Sequence, residues 1–270
     1  MNRPIPRSMR VSGIASAAVV GLAFAAIPAA AAGGAASVTQ LTARTAGPMV
    51  PSATVHPQVA ADTLVTSKTW FGYAAYSGTY TSVESTWVEP AVDCSKGGGE
   101  ATFWVGLDGA ANAVVQQTGT RVFCPLVGQP SYSAWWETYP SNVMQQYADT
   151  VEPGDTFTAK VTFVGDDEYD LYLTDKTQGW TEDHVEKGAT GAANTSAEIV
   201  GETPQVIPNY VFYNLPYFGT MNFTNSMVTD LPLAESNPSV LNLGRFGHTL
   251  ATTGSLSNGT DFTETWLSNS

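Results

Sequence analysis

An all-β sandwich is the fold this sequence predicts, and three observations predict it. Short segments rich in aromatic and β-branched residues recur along most of the chain. Gly, Pro, Asn and Asp separate them about every 8–12 residues, the turn spacing of sandwiches. No segment keeps a strong helical period through three turns. The stretch 156–163 (Thr-Phe-Thr-Ala-Lys-Val-Thr-Phe) alternates with the period of a half-exposed strand. About ten such strands imply two packed antiparallel sheets around one core.

The ends of the chain set the bounds of that domain. Residues 1–32 read as a secretory signal peptide. Arg3, Arg7 and Arg10 come first, then the uncharged apolar run 11–27, then small residues with Ala-x-Ala cleavage sites. A membrane-spanning helix needs about 20 strongly apolar residues. This run is short and alanine-rich, so export to the extracellular side is expected rather than anchoring. Residues 33–67 are mostly Ala, Thr, Val and Pro without a period, and read as a propeptide or flexible leader. All seven tryptophans follow Lys68. Residues 68–270 are therefore expected to form one β domain.

Within it, 70–76 and 79–88 read as the first strands, and Pro90 ends the second. A glycine-rich loop follows at 94–100. Two aromatic islands come next, 101–119 and 133–140. Residues 147–154 connect to the alternating strands 156–163 and 169–173, with a hairpin turn at 175–179. The stretch 197–202 is short and runs into Pro204. Further strands are expected at 210–213, 221–224 and 262–267, the last preceded by an Asn258-Gly259 turn. The stretch around His184 reads as a charged loop.

Charge narrows the partners. Four arginines and one acid, Asp62, precede Lys68. The domain holds seven cations and 23 acids, a net charge of −16. Such a surface repels nucleic acid and anionic membranes, so neither is an expected partner. Near pH 3 most of these carboxylates are neutral, and self-repulsion is then small. The same surface also suits simple solubility. Cys94 and Cys124 flank the first island, and in an exported chain such a pair is expected to be bridged.

The islands carry the candidate chemistry. The first reads Phe103-Trp104-Val105-Gly106-Leu107-Asp108-Gly109, then Val114-Val115-Gln116-Gln117-Thr118-Gly119. The second reads Ser133-Ala134-Trp135-Trp136-Glu137-Thr138-Tyr139-Pro140. Asp108, a glutamine and Glu137 stand where a strand's buried face is normally apolar. Burying polar groups is unfavourable unless they are paired, so their repetition among tryptophans marks a site or a hydrogen-bonded core. Other chemistries are missing. There is no Gly-x-Ser-x-Gly, no His-Glu-x-x-His, no Asp-Thr-Gly or Asp-Ser-Gly, and no phosphate-cradling glycine loop. Only His184 and His248 fall in the domain. A serine triad and a histidine metal site are not expected, nor is any cofactor. Carboxylate and amide chemistry remains.

These islands, together with Ala197-Glu198-Ile199-Val200-Gly201-Glu202, resemble those of the glutamic peptidases, or eqolisins. The resemblance runs from about residue 70 to 266. It implies a lectin- or glucanase-like sandwich of two curved antiparallel sheets. It also implies a metal-free, acid-acting endopeptidase made as a precursor, here expected to be a monomer that cleaves polypeptides. The family's catalytic glutamine, which precedes Thr-Gly, falls on Gln117, and its glutamate falls on Glu202. Trp104, Asp108, Glu137, Tyr139 and Glu198 match residues that line or support the cleft. The fourth island departs from the family pattern at Ile199-Val200-Gly201, where a glycine loosens the strand just before Glu202. The leader also has little of the basic charge that masks an acidic cleft.

The residue types suit amide hydrolysis, which needs a base, an oxyanion donor and an acid for the leaving amine. An ionised Glu202 would take a proton from water and return it to the amine, provided its pKa stays low. Gln117 would donate to the oxyanion and, being untitratable, would keep that role in acid. Gln116 should face the other side of the strand. A second reading is a carbohydrate-binding or glycoside-hydrolysing sandwich, with Glu137 and Glu202 as an acid pair.

Overall fold

The computed structural model describes residues 64–76, 78–206 and 211–270. The expected signal peptide and residues 33–63 of the leader lie outside them, as does Tyr210 of one expected strand.

The described chain is almost wholly β. Its strands are β1 (Leu64–Ser67), β2 (Trp70–Ala75), β3 (Ser82–Val88), β4 (Gly99–Leu107), β5 (Val115–Cys124) and β6 (Ser131–Tyr139). Then come β7 (Asn142–Gln146), β8 (Thr156–Gly165), β9 (Glu168–Asp175), β10 (Trp180–Lys187), β11 (Ala197–Glu202) and β12 (Gln205–Val206). The last are β13 (Val211–Phe212), β14 (Thr220–Val228), β15 (Leu231–Pro232), β16 (Ser239–Arg245), β17 (His248–Thr253) and β18 (Phe262–Trp266). One hydrogen-bonded path runs β10-β9-β8-β3-β14-β18-β17-β16-β2-β11-β4-β5-β6-β7. It closes into a sandwich, with β3, β8 and β9 of one half packed on β11, β4 and β5 of the other.

Alternation along the strands builds the core. Phe71 and Tyr73 of β2, Phe103, Val105 and Leu107 of β4, and Ala197 and Ile199 of β11 point between the halves. There they meet Val83, Trp87, Phe157, Val161, Leu171 and Phe223. Successive strand residues face opposite ways. The other face of β2, β11, β4, β5 and β6 therefore carries a separate buried cluster containing Trp70, Trp104, Trp135 and Val200.

Two expectations change. The expected leader boundary at Lys68 falls inside the sheet. Residues 64–67 form β1, which pairs in parallel with β16. Ser67 Oγ then accepts the Thr69 and Trp70 amides at 3.2 and 3.0 Å, tying β1 to β2. The charged segment around His184 is a strand, β10, paired along its length with β9. It ends the sheet, and charge is what an unpaired edge tolerates while discouraging further strand addition. Its His184 ring packs against Trp136, tilted by 30° with centroids 4.1 Å apart.

Cys94 and Cys124 are bridged. The closed loop spans 30 residues, for which the chain-entropy estimate is about 3–4 kcal/mol, an upper figure. Thiol titration of the unfolded, unreduced protein should find no free cysteine, and Cys94→Ser should lower the melting temperature. Among the described residues no helix is long and apolar enough to cross a membrane. Nor does any His, Cys, Asp and Glu cluster there suit a metal ion.

Candidate active site

The register of four strands lines up the islands. Glu198 of β11 stands opposite Gly106 of β4, which stands opposite Gln117 of β5, which stands opposite Glu137 of β6. Two residues along, Val200, Trp104, Gly119 and Trp135 form a second row. Two further along, Glu202, Thr102, Arg121 and Ser133 form a third. Opposed residues project from the same face. The spacing of the motifs thus delivers Glu198, Gln117, Glu137, Trp104 and Glu202 to one side of the sheet, away from the core between the halves.

Gly119 and Gly106 make room for Trp104. A Cβ at Gly119 would come within 2.7 Å of Trp104 Cβ. One at Gly106 would come within 2.9 Å of Trp104 Cζ3 and 3.2 Å of Gln117 Cβ. The indole therefore spans the rows. Its benzo edge lies beside the Gln117 row, and its Nε1 donates to Glu202 Oε2 at 3.1 Å. Trp70 braces it edge-on, with centroids 5.2 Å apart.

Gln117 is fixed from its other side. Its Nε2 donates to Glu137 Oε2 at 2.6 Å, and Glu137 Oε1 accepts the Met144 amide at 3.1 Å. This leaves Gln117 Oε1 and the second amide hydrogen uncommitted among the described residues. Gln116 points the opposite way, as expected. It accepts the Ala189 amide and donates to Leu107 O and Asp108 Oδ2.

Glu202 is buried, and its Oε1 has no hydrogen-bond partner among the described residues. Burial raises its pKa to about 8, and the neighbouring Glu100 carboxylate adds to the rise. The Trp104 and Trp70 indoles and the Arg245 guanidinium offset part of it. An ionised base needs a low pKa, and here removal from water outweighs these partners and favours the protonated form.

The other expected site residues divide by role. Asp108 supports rather than lines the face. It sits at φ 67° where β4 turns away, and accepts the amides of Ala193, Asn194 and Thr195, each at 2.9 Å. It thereby pins the approach to β11. Glu198 accepts the Ala110 amide at 3.2 Å, and burial pushes its pKa well above the usual carboxylate range. Tyr139 packs at the margin of the tryptophan cluster.

The model of the Peptidase A4 family matches residues 68–266. The chain belongs to that family. It is a glutamic-type endopeptidase, a hydrolase, and this decides against the carbohydrate reading. The peptidase is 25% identical over 211 residues to Aspergillopepsin-2 of Aspergillus niger, covering 69% of this chain and 74% of that one. Its fold resembles scytalido-glutamic peptidase solved with a transition state analog inhibitor, with TM-score 0.65 and 20% identity. That match covers 74% of this chain and 98% of the other. Aspergilloglutamic peptidase from Aspergillus niger aligns with TM-score 0.55 and 27% identity over 63% of this chain and 99% of that one.

Sequence reasoning passed over three residues on or under this face. Trp70 and Trp135 join the cluster, but tryptophans on short strands carry no label of face. Arg245 is one of only two arginines in the domain, and that scarcity was a usable signal. Gly201, read as a weak point, is required by close approach. A side chain there would collide with the Phe71 ring and the Glu264 carboxyl.

Proposed function

We propose that the protein is a secreted, monomeric, acid-acting endopeptidase in which Gln117 and Glu202 form the catalytic pair. The observation that carries this reading is the Trp104 bridge. One indole touches Glu202 and lies beside Gln117, so both groups can address one peptide bond laid across the tryptophans. Scytalido-glutamic peptidase is also known with a peptide-based transition state analog. An extended polypeptide is accordingly the substrate proposed here.

The residues assign themselves to steps. Glu202 enters as the protonated acid, because burial holds its pKa near 8. As water attacks the scissile carbonyl carbon, Glu202 passes its proton to the carbonyl oxygen and takes one from the water. The tetrahedral species then collapses. The proton now on Glu202 moves to the amide nitrogen, the C–N bond breaks, and the hydroxyl proton of the intermediate returns to Glu202. The general-base step thus accompanies a donation instead of preceding it. Gln117 Oε1 accepts from the attacking water, and its second amide hydrogen faces the developing oxyanion. One such donor is worth about 2.7–4 kcal/mol. Glu137 keeps the amide from flipping.

Incubating the purified domain with denatured protein at pH 2–7 and sequencing the fragments tests the reading. Cleavage in acid is expected, with loss toward neutral pH as ionisation of the buried acids weakens the fold, and an optimum above pH 7 would contradict it. Gln117→Ala should lose about 10²–10³-fold in kcat, while Gln116→Ala, on the other face, should lose little. Unchanged turnover in folded Gln117→Ala would remove the glutamine from the mechanism.

We further propose that export removes residues 1–32 and that maturation removes the leader ahead of Leu64, since β1 belongs to the sheet. N-terminal sequencing of the active secreted form checks this. An active protein starting at residue 33 would count against removal of the leader.

A further inference from the structure

We propose that Arg245 is a positioning residue for Glu202, clamping the chain on both sides of it and holding the paired strands β12 and β13 against it. This inference rests on the reading of Glu202 as catalytic. Arg245 ends β16, two strands from β11, and is 7% exposed. It forms no carboxylate salt bridge among the described residues. Its guanidinium instead gives its hydrogens to three backbone carbonyls. Nε donates to Lys68 O at 2.6 Å, Nη1 to Tyr213 O at 2.7 Å and Nη2 to Thr203 O at 3.3 Å.

Each carbonyl belongs to a segment that sets Glu202. Thr203 follows it directly. Lys68 leads into Trp70, which stands opposite Glu202 in the register. Tyr213 follows β13, and its carbonyl also accepts Thr203 Oγ1 at 3.0 Å. The Thr203 amide closes the set on Thr69 O at 3.0 Å. Phe212 lies over the guanidinium, 4.1 Å from ring centroid to Cζ, in cation–π contact. A planar fork with five donors can join three strand ends in this way, whereas an ammonium cannot match that geometry.

A buried cation with no carboxylate in contact is unusual, because it forgoes the strongest compensation for burial. Here the carboxyl that acts on it electrostatically is Glu202. Burial lowers the Arg245 pKa to about 10, and Glu202 opposes that fall. The groups facing Glu202 can be named from each neighbouring strand. β2 offers the Trp70 indole, and β4 offers the Trp104 indole and the Glu100 carboxylate. β5 offers Arg121, already committed to Glu100 at 2.7 and 2.9 Å. β16 offers Arg245. On the opposite face β18 sends Glu264 to the Gly201 amide at 2.9 Å. Glu100 neutralises Arg121, so Arg245 is the cation left to favour the Glu202 carboxylate when it forms during the proton exchange.

The test compares Arg245→Met, which removes charge and fork, with Arg245→Lys, which keeps the charge. kcat and KM are measured against pH. The titration of Glu202 is followed separately by carbon NMR of labelled glutamate, assigned by difference from Glu202→Gln. For Arg245→Met the expected result is a fall in kcat of about 10-fold or more with little change in KM. The Glu202 midpoint should also rise by about one pH unit, the effect of losing a nearby opposite charge. Arg245→Lys should hold the midpoint near its original value yet leave kcat reduced. A merely structural role would lower activity in both variants without moving the midpoint, and that result overturns the proposal. So does wild-type kcat in either variant. If Arg245→Met does not fold, Arg245→Gln replaces it, since it removes the charge but keeps amide donors for the carbonyls; a raised midpoint there supports the proposal and an unmoved one overturns it. If Glu202→Gln is itself fully active, the reading of Glu202 fails. The NMR midpoint still reports whether Arg245 governs that carboxyl.

Discussion

Glu202→Gln is expected to lower kcat/KM by about 10²–10⁴-fold, the usual worth of general acid–base catalysis, while making the fold more stable near neutral pH. The two effects come from one property. Glutamine has nearly the shape of the protonated acid that burial imposes at this position, and its side chain still offers an oxygen to Trp104 Nε1. It cannot ionise, however, so it neither takes a proton from water nor hands one to the amine. Near-ultraviolet circular dichroism from the tryptophans would confirm the native fold before rates are compared. Glu137→Gln should lie between this variant and the native enzyme. It leaves one oxygen as acceptor for Gln117 Nε2 but sets an amide NH2 against the Met144 amide that the other oxygen accepted, which loosens the hold on Gln117. Glu198→Gln should be mild, because Glu198 serves the Ala110 amide. Near-full activity in folded Glu202→Gln, with Glu137→Gln or Glu198→Gln inactive, would place the proton carrier on the wrong acid.

The sequence carried the fold class and the aligned islands because both are local. A motif such as Trp-Val-Gly or Gln-Thr-Gly fixes which residues share a face by its period of two, and pairing needs only the register. That suffices to put Gln117, Glu137, Trp104 and Glu202 together. It does not give the environment of Glu202. The low pKa expected for a base considered the partners a carboxylate attracts, and omitted desolvation, which depends on strands far away in the chain. Gly201 was misjudged for the same reason. Its constraint is Glu264 on β18 and Phe71 on β2, neither visible from its neighbours. The β10 strand was missed because solvent-facing charges on a sheet edge look like a loop in sequence. Its pairing to β9 is made by the backbone. The scarcity of arginine marks Arg245 in the sequence, but not its role, since its partners are carbonyl groups that every residue carries.

Stability is expected to be highest in acid and to fall as pH rises from about 4.5 toward 8. Two buried acids set the window. Glu89 is pushed up to about 7 and Glu202 to about 8 from an ordinary value of 4.5, in each case chiefly by burial. The Thr120 hydroxyl and the Trp87 indole offset part of the rise at Glu89, and Asp155 and Asp175 add to it. When a folded-state pKa is raised, the native chain holds the proton more tightly than the unfolded chain. Stability is then fully present below 4.5, where both states are protonated. Above it the unfolded state gains by ionising, and the benefit is gone once pH passes the folded pKa. One pKa unit is worth about 1.4 kcal/mol, so Glu89 contributes a loss of about 3 kcal/mol and Glu202 about 5 kcal/mol by pH 8, to order of magnitude. Burial raises Glu198 and Glu264 in the same direction. Burial, and after it the neighbouring carboxyls of Asp183, Asp155 and Asp149, raises Asp170, Asp175 and Glu182 respectively. The net charge of −16 on the domain compounds the fall as its acids ionise. Melting temperatures followed by tryptophan fluorescence from pH 3 to 8 would measure it. Glu89→Gln isolates one contribution, because it keeps the neutral shape without the titration. It should leave the melting temperature near pH 3 unchanged and raise it near pH 8 by about 6–12 °C, at 2–4 °C per kcal/mol for a domain of this size. A melting temperature that is flat or rising between pH 4.5 and 8 would mean that these carboxyls are not held neutral, and would restore an ionised Glu202 as the base.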